Sequence, residues 1–294
     1  MAIKYGDLYV DEKYKSIILP NLFYKTFLVP GATYQDVTAD NNGGWFWHKL
    51  VSSGAVEPGV PGRDFVDEDA EDTLVNAIYN NNFQSSKKIY GVQAAAVAFD
   101  LAEAELALAT NEVAEGKNLS ALACLATEGT ASAQTSEIAA ATFKADVLAV
   151  RQEIVENKGR ADVVLCSPAL FAMMLEFAGA QYLPSSNEML IAAAGGGQVG
   201  EWLGMTWIEV NGFAHTSDVV YYDYSGTKVT YDSDDLNAIA FIMYDHTAFG
   251  VGDNFNIARV IDSENFAGSK AQVEDNVAFR VLNPDLVIVR GLGE

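Results

Sequence analysis

The stretch Gly195-Gly196-Gly197-Gln198-Val199-Gly200 spells G-x-G-x-x-G, the pattern of a loop that cradles a dinucleotide pyrophosphate. That chemistry needs a strand before the loop, a helix after it and an acidic residue about twenty positions on. Here Gly204 arrives almost at once and the chain continues as TWIEV, a strand pattern. No crossover helix fits. A glycine loop near a subunit contact is the better expectation, with Gly195, Gly196 and Gly197 as its candidate residues.

Other chemistry-bearing residues fare no better. His48, His215 and His246 stand far apart and in no metal-ligand spacing. His246 beside Asp245 would suit a Ser-His-Asp relay, yet no G-x-S-x-G elbow accompanies it. Asp64, Asp67, Glu68, Asp69, Glu71 and Asp72 crowd one stretch, but a calcium loop would need glycine at its sixth position and glutamate at its twelfth. A solvated acidic turn is expected there, and again at Asp232, Asp234 and Asp235. Lys87-Lys88 is the one adjacent basic pair, and it suits the rim of a contact better than a phosphate site. No catalytic residue, metal or cofactor is expected. The chain is expected not to be an enzyme.

Composition narrows the class further. The 294 residues are 50% hydrophobic, enough for a substantial core. A net charge of −22 and a pI near 4.3 argue against gripping nucleic acid, which needs clustered Lys and Arg. The same charge favours solubility at high local concentration. Cys124 and Cys166 lie in the apolar runs LACLA and VVLCS, as buried thiols would. The first residues, MAIKYGDLYVDEKYK, hold no apolar core of a secretory signal, and no run approaches a membrane span. A cytoplasmic origin is expected.

The elements that would position these residues divide the chain unevenly. Residues 1–41 read as an extended arm, with Ile17, Ile18, Leu19, Leu22, Phe23 and Phe27 making a short strand or helix at most. Residues 42–90 read as an open two-stranded ribbon carrying Trp45-Phe46-Trp47 and the turn EPGVPGRD, which includes Arg63. That segment is too turn-rich to bury three large aromatics alone. Val92 to Glu115 then runs 24 residues without glycine or proline, nine of them alanine, and predicts a long helix ended by Gly116. One stripe is Val97, Leu101, Ala104 and Leu108; a second is Phe99, Leu106 and Val113. The two together predict neighbours on more than one side. Leu119 to Ala126 suggests a shorter helix.

From Ser136, a good N-cap, a helix with the face Phe143, Val147, Val150 and Ile154 is expected to run to a stop at Gly159. A buried strand at Ala161–Cys166 follows, then a helix from Ser167-Pro168 to Gly179. Beyond Thr206 the chain is mainly strands: TWIEV, VVYYDY, IAFIMY, NIARVI, VAFRVL and LVIVR. The class is α+β.

This order of parts resembles the major capsid proteins of tailed double-stranded DNA bacteriophages with the Hong Kong 97 (HK97) type fold. KGRADVVLCSPALFAMML, GGGQVGEWLGMTWIEVNGF, AFGVG and VAFRVLNPDLVIVRGL are similar to segments of that family. The resemblance implies an N-terminal arm at 1–41, an E-loop at 42–90, and a P domain with a spine helix at 91–157. It further implies an A domain at 158–255 and strands returning to the P domain at 256–294. It also implies self-assembly through pentamers and hexamers into an icosahedral head shell that encloses the genome with weak contact to DNA. Separate scaffolding, portal and decoration proteins would be the partners, the virion the location and the host cytoplasm the place of assembly. Trp45, Phe46, Trp47, Arg63, Lys87, Lys88 and Gly195 to Gly197 would then serve assembly. An encapsulin-like nanocompartment shell is the nearest alternative; a nucleotide-dependent enzyme using Gly195 to Gly200 is the one from another class.

Overall fold

The computed structural model describes residues 33–36, 44–51, 71–91, 94, 101–179, 183–184 and 199–293. The apolar positions from Ile17 to Phe27, Arg63, Gly195 to Gly197 and most of 92–100 lie outside them.

The longest helix, α1 (Leu101–Glu128), has 28 residues and is roughly 42 Å long. It does not stop at Gly116, and Leu119–Ala126 is its last part, not a separate helix. Gly116 serves close approach: a Cβ there would sit 3.3 Å from the Phe83 ring. Of the two expected stripes, that of Leu106 and Val113 is packed and that of Ala104 and Leu108 is not. Leu106, Ala109 and Val113 pack against Ile89, Ala258, Ala271 and Val273, whereas Leu108 is 47% exposed and Ala104 is exposed. The stripe repeating every seven residues marks the core side.

That side rests on a four-stranded sheet. Its centre is the antiparallel pair β13 (Phe249–Asp262) and β14 (Gly268–Val281). At one edge β4 (Asn81–Tyr90) pairs with β14; at the other β1 (Thr33–Asp36) runs parallel to β13. Strand alternation turns Phe83, Ser85, Lys87 and Ile89 toward α1. The expected ribbon is present but shorter than 42–90: β2 (Gly44–Val51) pairs antiparallel with β3 (Glu71–Ile78), while Asn81–Tyr90 leaves it to pair with β14.

A seven-stranded sheet forms the second layer. Its order is β5 (Thr130–Ala131), β15 (Val287–Gly291), β12 (Ile239–Tyr244), β6 (Val163–Cys166), β9 (Met205–Glu209), β8 (Val199–Trp202) and β7 (Leu183–Pro184). Every residue of β6 and β12 is buried, as continuous apolar runs require. One face is covered by α2 (Phe143–Glu156) and α3 (Pro168–Ala178), with Phe143, Trp202 and Trp207 meeting in the core. The other face takes the end of α1, the hairpin of β10 (Val219–Tyr222) and β11 (Lys228–Tyr231), and the short α4 (Ser233–Asn237).

Two helix ends differ from expectation. The face Phe143, Val147, Val150, Ile154 is fully buried as read, but α2 begins at Phe143, not near Ser136. Ser136 is held against the chain's end instead: its carbonyl accepts from Arg290 Nη2, and the Ile138 N–H donates to the Leu292 carbonyl at 3.1 Å. At the other end Lys158 takes the left-handed conformation (φ 63°), with Gly159 N–H bonded to the Ile154 carbonyl at 3.0 Å. A Cβ at Gly159 would fall 2.4 Å from Leu286 Cδ2 and 3.0 Å from Ile154 Cγ2, so a side chain there must displace Leu286. By contrast α3 starts as read, the Ser167 hydroxyl accepting from Leu170 N–H at 3.4 Å.

Candidate assembly surfaces

Among the described residues the ribbon is held to the body at its base. Val75, Ala77 and Tyr79 are buried with Ala278 and Leu282, the Ile78 N–H donates to the Tyr224 carbonyl at 3.2 Å, and the Asn81 amide bonds both backbone groups of Tyr222 at 2.8 Å. Beyond that base neither outer edge of β2–β3 pairs with another described strand. An isolated two-stranded hairpin is marginal in water, and its open edges are templates for pairing. Trp45, Phe46 and Trp47 sit in a regular strand, not an irregular turn-rich segment. Positions 45 and 47 lie opposite Ala77 and Val75, and position 46 opposite Asn76.

Lys87 and Lys88 part company. Lys87 faces α1 and bonds Glu112, whose carboxyl is held below its usual range by Lys87 and by the Ser85 hydroxyl. Lys88 is exposed on the other face, directly opposite Lys270. Deeper between α1 and the sheet, Lys117 Nζ lies 2.8 Å from Asp275 Oδ2 and 3.9 Å from Asp253 Oδ2.

The catalytic candidates resolve into structural roles. Val199 and Gly200, which end the glycine pattern, enter a hairpin directly: β8 turns into β9 through Leu203 (φ 57°) and Gly204 (φ 75°). The helix that a dinucleotide loop needs is not there. His246 Nδ1 meets Asp162 Oδ2 at 2.5 Å, and these two with Asp245 are close enough to share a cation. Yet both carboxylates are committed to backbone: Asp162 Oδ1 accepts from His246 N–H at 2.9 Å, while Asp245 accepts from Arg160 N–H at 2.9 Å and Thr247 N–H at 3.0 Å. Sequence spacing hid this trio because Asp162 lies 84 positions away. His215 stands apart from it, and the described backbone places His48 in β2. Asp232 caps α4, accepting from Asp234 N–H at 2.8 Å. Cys124 and Cys166 are buried, free thiols, as read.

No family model and no curated protein matches the sequence. Solved structures do. A structure titled as the asymmetric unit of the bacteriophage PhiM1 mature capsid aligns with a TM-score of 0.61 at 15% identity, covering 91% of this chain and 87% of that one. A capsid structure of the cyanophage P-SCSP1u gives 0.60 at 13% identity, covering 88% and 86%. A virus-like particle from Pyrococcus furiosus gives 0.60 at 10% identity, covering 95% and 98%. The chain has the HK97-type capsid fold.

Within this capsid fold one titratable group stands out that the sequence did not mark. Glu128 is the last residue of α1, where the helix dipole disfavours a negative charge. Burial pushes its carboxyl up to about 7, against the pull of the Val281 N–H and Arg280. Its Oε2 accepts from that Val281 N–H at 2.8 Å, tying the end of α1 to the end of β14.

Proposed function

We propose that this chain is the major capsid protein of a tailed double-stranded DNA bacteriophage, the structural subunit that self-assembles into the icosahedral head. The observation that carries the reading is the ribbon β2–β3 on a capsid fold, whose outer edges pair with no other described strand and are therefore open to a neighbouring copy. In this reading residues 1–41 are the arm, 42–90 the E-loop, 91–157 the P domain with its spine helix, 158–255 the A domain and 256–294 the return to the P domain. Trp45, Phe46, Trp47, Arg63, Lys88 and the loop at Gly195 to Gly197 meet neighbouring copies, while Lys87 supports the strand that carries Lys88. Pentamers and hexamers close the shell, and scaffolding, portal and decoration proteins are separate partners. With 18 basic against 40 acidic residues, the wall touches the genome weakly. The shell forms in the host cytoplasm and persists as the virion coat.

The likeness to the Pyrococcus furiosus particle favours a second reading, an encapsulin-like nanocompartment. Electron microscopy of the purified protein tests both. Closed shells support assembly, and persistent monomers would remove it. Particles isolated from producing cells then separate the readings, packaged genome favouring the capsid and a cargo enzyme the nanocompartment.

A further inference from the structure

The seven-stranded sheet separates two surfaces of opposite sign. On one side α2 turns Lys144, Leu148, Arg151 and Val155 outward at helical spacing. Leu148 is 39% and Val155 53% exposed. Neither cation is ion-paired with a described residue. Of the acids nearby, Glu156 is hydrogen-bonded by Gln152 Nε2 at 2.7 Å, Glu153 is half-buried and accepts from the Ser132 hydroxyl at 2.9 Å, and Glu176 is exposed on α3. A cationic stripe is unexpected in a chain of net charge −22.

On the other side β10 turns Val220 and Tyr222 outward by strand alternation, 44% and 38% exposed, and Asp218 just before it is exposed as well. Val219 pairs with Tyr231, so Asp218 and Asp232 flank the same end of the hairpin. Asp234 and Asp235 extend that end through α4. Lys228 stands at the far end, opposite Tyr222. Each surface therefore combines two exposed apolar side chains with charges mainly of one sign, and the signs are opposite. Core clusters on the two faces of the sheet fix their separation: Val147 and Ile154 lie in one, Val219, Tyr221 and Leu236 in the other.

A surface complementary to the opposite side of the same molecule joins copies head to tail, and such contacts close into rings when the rotation permits. We propose that the Lys144–Val155 stripe of α2 on one copy docks on the acidic β10–α4 surface of the next copy. Exposed apolar residues supply burial, and the charges fix orientation and exclude like faces. The inference rests on the shell reading and names two faces that meet within it.

The test uses full-length chains carrying Lys144→Glu with Arg151→Glu, Asp234→Lys with Asp235→Lys, or all four. Each two-site variant should cut the yield of closed particles by about ten-fold or more, with circular dichroism unchanged. The four-site variant should recover particles, because the faces are complementary again. Two-site variants that assemble like the parent, or folded four-site chains that stay dispersed, would overturn the contact. If Lys144→Glu with Arg151→Glu fails to fold, Lys144→Gln with Arg151→Gln should still lower the yield, and no loss there counts equally against it. A parent chain that forms no shells sinks the shell reading instead.

Discussion

Lys117 on α1 and Asp275 on β14 form an ion pair at 2.8 Å, and both side chains are almost wholly out of solvent. Two buried charges hold each other in place, so loss of one strands the other. Lys117→Met should destabilise the subunit by about 3–5 kcal/mol, and Lys117→Met with Asp275→Leu by less than that. Urea unfolding of the three proteins measures the difference. Equal losses would mean the pair does not act as a unit.

Glu128 makes stability fall as pH rises. Its carboxyl titrates near 4.5 when unfolded and at about 7 when folded, so the fold favours the neutral acid. The contribution is fully present below the unfolded value, declines between the two, and is gone above the folded one. Integrated over that window it is on the order of 3 kcal/mol. Glu128→Gln should flatten the pH dependence of the melting temperature between those limits. A profile identical to the parent's would show that other groups set it.

Leu106 and Leu108 separate the two stripes of α1. Leu106→Ala should cost about 2–5 kcal/mol, and Leu108→Ala no more than about 0.5 kcal/mol in the isolated subunit. The reverse order would place the core on the other side of the helix.

Lys158 and Gly159 offer opposite responses at the end of α2. Lys158→Gly relieves a left-handed residue and should stabilise by about 0.5–1 kcal/mol. Gly159→Ala drives a methyl into Leu286 and should destabilise. Thermal melts of the two variants decide it.

Removing residues 54–72 takes away the ribbon's far part but not its anchored base. The body should still melt cooperatively while shells are lost. Normal particles from that chain would contradict the proposed role of the ribbon.

The sequence made regular elements with strong local signals legible. Ser167-Pro168 marked the start of α3, and the apolar runs IAFIMY and VVLC marked the central buried strands. It misled where glycine has two uses. Gly116 and Gly159 were read as helix stops, but each lies against a neighbour, Phe83 or Leu286, 3.3 Å or 2.4 Å from where a Cβ would sit. That neighbour is distant in sequence, so no local pattern reveals it. The same holds for the Asp162–His246 contact and for Glu128, whose environment is built by residues from β14. The order of charges along the chain likewise says nothing of which side of a sheet they reach.

α1 also joins the two layers. Up to Ala114 its buried residues lie in the core over the four-stranded sheet, and from Ala121 they lie in a core that takes side chains from both sheets, Val251 and Val277 from one and Leu165 and Ile242 from the other. One rod is thus rooted in a core that belongs to both sheets. A tilt of one sheet against the other would have to open that shared core, so the two layers should respond to force as one unit.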